Sequence, residues 1–396
     1  MERNEIKIGL FGFGCVGQGL YDILQQTPGF KAEIVKICCR NSEKSRPLGN
    51  EYFTFDKNDL LNNPDINVIV ELIDDAEAAK EIVVGALNNG KAVVSANKKM
   101  ISENFEELIN LQNKLKTPLL YEAAVCGSIP ILRNLEEYYD NDLLKSIQGI
   151  VNGTTNYILT EMITNKISFD IALAAAQTQG YAESDPTMDV EGFDAKYKLH
   201  IIMAHAFGLV IDPANIINIG ITQINEFDIK YATEKGLKIK LVAHAIKLKS
   251  NKIIALVIPE FVDSSNELFQ VDGVFNGIVT ENTFVNKNFF VGKGAGSFPT
   301  ASAVLSDLSA LSYNYKYEYK KRFQAPDFQY TDDHLIEIYL RYNQINFNNS
   351  LFDEIIEEYK SRQNNYVVGK ISIKSLKQLI NNHKSDYSVI LKNINP

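Results

Sequence analysis

The densest chemistry in this chain lies in one stretch, Gly180-Tyr181-Ala182-Glu183-Ser184-Asp185-Pro186-Thr187-Met188-Asp189-Val190-Glu191-Gly192-Phe193-Asp194-Ala195-Lys196-Tyr197-Lys198. Asp185-Pro186 signals the start of a helix, a capping side chain followed by proline at the first helical position. Asp189 is placed to cap the helix proper. Asp194 and Lys198 then stand i, i+4 and project from one face. Val190, Phe193 and Tyr197 fall on the other face and are expected to pack inward. On spacing alone this could be a surface helix with an ion pair worth only ~0.3–0.5 kcal/mol. The density of carboxylates (Glu183, Asp185, Asp189, Asp194) with a lysine suits a substrate that carries an ammonium group and a carbonyl.

A second pattern says what would accompany that chemistry. Gly12-Phe13-Gly14-Cys15-Val16-Gly17 is a G-x-G-x-x-G between a strand pattern and a helix pattern. The first glycine makes a tight turn, the second lets backbone approach a pyrophosphate, and the third lets helix and strand pack closely. The helix start then offers free N–H groups and positive dipole to phosphates. The second strand ends Cys38-Cys39-Arg40-Asn41. It lacks the acid that usually bonds the ribose 2′-hydroxyl of NAD. Arg40, with Lys44 and Arg46 near it, could face a 2′-phosphate, so NADP(H) is favoured over NAD(H). A solvated basic loop explains the same residues equally well.

The elements that must position these residues follow from periodicity. Strands are expected at 6–12, 34–39, 68–73, 92–95 and 118–122, with helices after Gly12 and at 76–89. Such alternation indicates a Rossmann-type, doubly wound parallel sheet over about 1–130, completed by a returning segment near 297–315. Strand at 144–151, helices to 165 and at 169–179, one long helix at 190–207, and strands at 253–262, 270–274 and 276–280 make a mixed α+β domain over 131–300. A helix is expected at 300–312. Residues 313–396 read as a small α+β module: strand 334–342, helix 351–362, strand 366–373, helix 375–381, strand 387–391.

Composition narrows the class. The chain has 396 residues, of which 45% are hydrophobic and 22% charged, and a net charge of −9. An ordinary packed protein with an acidic balance is a poor partner for nucleic acid or an anionic membrane. The sequence has no apolar run of the ~20 residues a membrane span needs and no signal-peptide pattern at its start. Cys15, Cys38, Cys39 and Cys126 form neither a CxxC pair nor a zinc spacing. A cytoplasmic protein is expected. His200 and His205, five apart, read as packing residues rather than metal ligands.

The Gly180–Lys198 stretch closely resembles the signature of homoserine dehydrogenases, G-Y-x-E-x-D-P-x-x-D-V-x-G-x-D-x-x-x-K, with every fixed position present. The glycine loop at Gly12, Ser95-Ala-Asn97-Lys98-Lys99, Glu122-Ala-Ala-Val125-Cys126-Gly127-Ser-Ile129-Pro130, Asn152-Gly-Thr154-Thr-Asn156-Tyr157 and Gly294-Ala-Gly296-Ser-Phe-Pro-Thr-Ala-Ser302 resemble that family in the same order, over about 5–312. The resemblance implies reversible reduction of L-aspartate 4-semialdehyde to L-homoserine by NAD(P)H, in threonine, methionine and isoleucine biosynthesis, by a monofunctional homodimer. It makes Lys198 the proton donor, with Asp194 as its partner, and Lys98 a lysine between cofactor and substrate. It does not divide the proton transfer between the two. Glu183 and Asp194 match holders of the substrate amino group, Asp189 shares or orients that task, and Thr154 matches a substrate contact, although Asn152–Asn156 could simply cap a helix. Gly180 and Glu183 match positions beside the nicotinamide, and Gly296 joins the cofactor residues. Glu122, Val125, Gly127 and Ile129 match a monovalent-cation site, taken as sodium. Cys126 and Ile73-Asp74-Asp75 depart from the family pattern, the two aspartates at a strand end where they bear on cofactor affinity, and the C-terminal module shows no clear family regulatory domain, which leaves feedback inhibition doubtful. Two rivals stand beside this reading: a phosphorylating aldehyde dehydrogenase using Cys126 as nucleophile, and an NAD(P)H-binding sensor without turnover.

Overall fold

The structure is a computed structural model, and it describes residues 4–43, 45–141, 143–324, 327–342, 349–382 and 387–394. Lys44 therefore lies outside the described residues. The chain divides into two compact units, Met1–Asp140 with Gly292–Lys320, and Asn141–Val291 with Lys321–Pro396.

The first unit is built on strands β1 (Ile6–Phe11), β2 (Ala32–Cys38), β3 (Phe53–Thr54), β4 (Val68–Glu71), β5 (Ala92–Ser95) and β6 (Leu119–Leu120). They form one sheet in the order β3-β2-β1-β4-β5-β6, and every neighbouring pair is parallel. Helices Cys15–Gln26, Ala76–Asn88 and Phe105–Leu115 connect the strands. Ile8, Leu10, Ile69, Val70, Val93 and Val94 are wholly buried. Such continuous apolar strands are what a parallel sheet with both faces covered requires. The expected Rossmann-type unit is present. Helix Ser297–Leu311 belongs to it and packs on the helix Cys15–Gln26. A side chain at Gly19 would meet Ser297 Oγ at 2.3 Å, so this glycine lets the two helices close.

The second unit holds β7 (Leu144–Ile150), β8 (Ile217–Asn218), β9 (Lys238–Lys247), β10 (Lys252–Val262), β11 (Phe275–Asn282), β12 (Asn286–Lys293), β13 (Gln329–Tyr330), β14 (Leu335–Tyr342), β15 (Glu354–Tyr359), β16 (Asn365–Ser372) and β17 (Tyr387–Ile394). Among the described residues they make one mixed sheet, β12-β11-β7-β9-β10-β17-β14-β16-β15, with β8 and β13 beside β10. The strands after residue 313 thus extend the same sheet and share its core, in which Ile254, Leu256 and Ile258 cluster with Ile338, Leu340, Val367 and Leu391.

Three expected elements differ. Residues 270–274 are not a strand: Glu267–Gln270 is a short 3-10 turn, and Val271 stays buried as an apolar plug. Residues 351–362 are not a helix, because Glu354–Tyr359 pairs antiparallel with β16 as an edge strand. Tertiary pairing there overrides the helix preference of its glutamates. The long helix expected from 190 is broken at Glu191-Gly192 into Thr187–Val190 and Phe193–Phe207, with Gly192 at φ +79°.

Candidate active site

In the second unit the carboxylate-rich stretch converges on one asparagine. Asn152 lies two residues beyond the strand β7 and caps the helix Gly153–Asn165, its Oδ1 accepting from Thr155 N at 2.8 Å. Its amide nitrogen donates to Asp189 Oδ1 at 2.7 Å and to Asp194 Oδ2 at 2.8 Å. Lys198 Nζ lies 2.7 Å from Asp194 Oδ2 and donates to Val151 O at 2.8 Å. Strand end, helix cap, loop carboxylate and helix ion pair are therefore one hydrogen-bonded set.

This is not the surface pair that spacing alone allows. Asp194 is 4% exposed and Lys198 7%, whereas Phe193 and Tyr197, expected to pack inward, are only partly buried. Val190 is buried as expected. The reason is that the helix Phe193–Phe207 contacts β7, β8, β9 and β10 and is buried almost all round, so no single inward face exists. Asp189 does not cap that helix; Gly192 precedes it without a side-chain cap. Asp185 Oδ1 accepts from Thr187 N and Thr187 Oγ1 at 3.1 and 2.6 Å; the short helix starts here, but one residue later than expected, with Pro186 rather than Asp185 at the cap position. Those two bonds hold its carboxyl below the usual range.

Glu183 is exposed, and its carboxylate has no partner among the described residues. Its backbone carbonyl accepts from Gln177 at 3.0 Å. Gly180, at φ +74°, turns the chain out of the helix Phe169–Thr178. Thr154 Oγ1 donates to Tyr181 O at 2.6 Å, which ties the Asn-Gly-Thr turn to the same loop. His200 is pushed down to about 4 by burial, so it is a neutral packing residue.

Sequence reasoning passed over Asn152 as a mere cap; the signal was its place before Gly-Thr-Thr. It also passed over Lys240, which is fully buried on β9. Lys240 donates to Asn156 Oδ1 at 3.0 Å, Val271 O at 2.5 Å and Asp272 Oδ1 at 2.8 Å. Burial pushes its ammonium down to about 8, with Asp272 opposing. It anchors the helix that Asn152 caps.

In the first unit, Gly12 has φ +91°, and a side chain there would meet Leu72 O at 2.6 Å. At Gly17 it would meet Gly12 O at 2.4 Å. Around Gly14 there is open space. The helix Cys15–Gln26 begins with no side-chain cap, so its first N–H groups suit a phosphate. Cys15 is exposed and Val16 partly so, while the Phe13 ring is buried against Phe53, 5.5 Å away. Only the backbone of Phe13 is left to the loop. Gly296, at φ +120°, precedes the helix Ser297–Leu311. Arg40 is exposed just beyond β2. Arg46 donates to Asn41 O and lies over the Phe53 ring at 5.0 Å. Lys98 is the first residue of the helix Lys98–Glu103, capped by Asn97.

Glu122 is buried, and its two oxygens accept from Leu132 N at 2.8 Å and Arg133 N at 3.0 Å. Gly127 has φ +53°, and the carbonyls of Lys293 and Gly294 lie 2.6 Å from where a side chain would sit. Ile129 O accepts from Ile131 N at 2.9 Å. Cys126 is wholly buried, which leaves the thioester rival without an accessible nucleophile.

A family model described as homoserine dehydrogenase matches residues 130–309, and one described as homoserine dehydrogenase, NAD binding domain, matches residues 12–122. The homoserine dehydrogenase of Lactococcus lactis is 37% identical over 314 residues, covering 76% of this chain and 73% of that protein. The chain belongs to the homoserine dehydrogenase family. The crystal structure of a homoserine dehydrogenase from Thiobacillus denitrificans matches with a TM-score of 0.87 at 29% identity, covering 99% of both chains. A hyperthermophilic archaeal homoserine dehydrogenase in complex with NADPH matches with a TM-score of 0.69 at 27% identity, covering 79% of this chain and 99% of that one. An oxidoreductase with a dinucleotide-binding Rossmann unit and a catalytic unit is thereby established, and a non-catalytic sensor is not favoured. No helix among the described residues is long and apolar enough to cross a membrane.

Proposed function

We propose that this homoserine dehydrogenase uses Lys198 as the proton donor to the aldehyde oxygen of L-aspartate 4-semialdehyde. One observation carries this reading. An ammonium group has three N–H donors; Asp194 and Val151 take two of them at 2.7 and 2.8 Å. The third has no acceptor among the described residues and is left for a substrate oxygen. Reduced nicotinamide supplies the hydride when bound. As negative charge grows on the carbonyl oxygen, Lys198 stabilises it and then neutralises it by giving up a proton. In the reverse direction the same nitrogen takes the proton from the homoserine hydroxyl.

Asp194 and Asp189, aligned by Asn152, and the exposed Glu183 hold the substrate ammonium. Thr154 donates its own proton to Tyr181 O, so its oxygen remains an acceptor on the substrate side. Lys98 adds a second cation for the developing charge. Gly12, Gly14 and Gly17, the backbone of Phe13, Cys15 and Val16, and Gly296 form the cofactor cradle; the family resemblance assigns Gly180 and Glu183 to the nicotinamide. Arg40, exposed just beyond β2, favours NADP(H) over NAD(H) as a partner for a 2′-phosphate.

Glu122, Val125, Gly127 and Ile129 suit a sodium ion. The carboxylate is buried, and no hydrogen bond among the described residues uses the Val125 or Gly127 carbonyl. A hard monovalent ion takes such an all-oxygen set and would fix this turn. A homodimer is supported by β12, an edge strand of the second sheet that leaves Phe289 and Val291 exposed, together with Phe284 and Val285 in the turn before it.

The test is turnover of aspartate semialdehyde with NADPH and then NADH, with homoserine identified as product, in sodium and in sodium-free buffer. Cofactor binding without turnover would overturn the reading. Indifference to sodium that persists in Glu122→Gln would remove the cation site.

A further inference from the structure

Glu71 is the last residue of β4 and is fully buried, yet no role described above uses it. It lies in register with Phe11 of β1 and Ser95 of β5, at the end of the sheet where a doubly wound fold binds its ligands. Its Oε1 accepts from Ile73 N at 2.7 Å and its Oε2 from Ser95 Oγ at 2.5 Å. The Ser95 hydroxyl in turn accepts from Asn97 N at 3.1 Å. Asn97 then ties both loops together: its amide donates to Ile73 O at 3.1 Å, and its Oδ1 accepts from Met100 N at 2.9 Å, which caps the helix beginning at Lys98.

The donors and acceptors have one consistent direction. Ser95 Oγ already accepts from Asn97, so its proton must go to Glu71, and Ile73 N also needs an acceptor. A carboxylate serves both. A glutamine can accept from only one of them, because its other terminus is a donor. A buried donor left without a partner costs about 1–3 kcal/mol, enough to let the 95–98 turn shift.

We propose that Glu71 is a positioning residue for Lys98, acting through Ser95 and Asn97 to hold the start of the helix that carries it. The proposal rests on the role given above to Lys98. It assigns Ser95 the same function, and it places neither residue in contact with substrate.

The test is a double-mutant cycle. Glu71→Gln and Ser95→Ala are each made in the wild-type chain and in Lys98→Ala, with melting curves to verify folding, and assayed with aspartate semialdehyde and NADPH. Each single variant is expected to lower kcat about ten- to a hundredfold, the scale on which misplacing a reacting group acts. The semialdehyde KM and the NADPH Kd should stay within about twofold, as expected when only the transition state is affected. In Lys98→Ala neither change should lower kcat further. Losses that multiply in that background while Lys98→Ala is itself crippled overturn the proposal alone, since they mark a purely structural residue. Wild-type turnover by Lys98→Ala overturns the Lys98 role and this proposal with it. Should Glu71→Gln fail to fold, Ser95→Ala decides by the same criteria.

Discussion

Replacing Lys198 by alanine removes a buried ammonium that has two of its three donors taken by the protein. Its ammonium is fixed by Asp194 at 2.7 Å and Val151 O at 2.8 Å, so the loss is of a preorganised donor rather than a wandering side chain. General acid catalysis contributes about 10²–10⁴-fold, which corresponds to ~2.7–5.5 kcal/mol of barrier. A hundredfold or greater fall in kcat is therefore expected. Stability falls as well, because Asp194 is left buried without its cation; breaking such a pair from one side costs about 3–5 kcal/mol. The Asn152 amide stays on Asp194 at 2.8 Å, so the lower end of that range is expected. The assay is single-turnover oxidation of NADPH by aspartate semialdehyde, run below the variant's melting transition so that the two effects separate. Lys198→Arg refines it: the guanidinium keeps the charge but holds its proton far too tightly to deliver it. It should recover stability without recovering rate. A kcat for Lys198→Ala within about threefold of wild type is too small a loss for a general acid and refutes the assignment.

Three other outcomes are expected. Arg40→Asp should move the NADPH-to-NADH preference towards NADH, measured as the ratio of the two kcat/KM values; an unchanged ratio refutes the role given to Arg40. Asn152→Ala removes the donor shared by Asp189 and Asp194 and the helix cap; a lost cap alone costs ~0.5–2 kcal/mol. Urea unfolding should show a loss of at least that size, and the semialdehyde KM should rise, since two ammonium-binding carboxylates lose their alignment. Burial pushes the Glu71 carboxyl up from 4.5 to about 7. A raised carboxyl means that the unfolded chain loses its proton first, so wild type loses stability as pH rises from 4.5 to about 7, by ~3 kcal/mol over that window. Glu71→Gln should not share that slope, and its stability relative to wild type should climb across the window and level off above it; a pH-independent difference refutes the burial effect.

Much of this was legible because the residues act locally. The glycine spacing 12–17 prescribes its own backbone, and β1, β4, β5 and the helix Ala76–Asn88 fall where apolar runs and Gly90 put them. The ends of the Gly180–Lys198 stretch and the pairing of Asp194 with Lys198 follow from helical spacing. What escaped depends on burial from several sides. β9 was not expected because Val242 and Ile246 interrupt its alternation of Lys238, Lys240 and His244 with apolar residues, and both faces are covered: Lys240 and His244 are as buried as Leu241 and Val242. β15 reads as a helix until Tyr359 stacks on Tyr366 of β16, with ring centroids 5.2 Å apart. Asn152 looked like an ordinary cap because its second job requires carboxylates 37 and 42 residues away, and no local pattern encodes them.

The path of the chain between the units bears on how the protein is made. The helix Ser297–Leu311 packs against the glycine-loop helix at Gly19, but the first unit breaks off at Asp140 and resumes at Gly292. A ribosome must add roughly 150 residues in between, which at ~5–20 residues per second takes on the order of ten to thirty seconds. Throughout that interval the nascent cofactor sheet carries an uncovered helix face. Residues 1–140 expressed alone would keep it permanently bare. The order of synthesis thus sets a window in which chaperones can engage this chain, and a truncated first unit should aggregate where the whole chain does not.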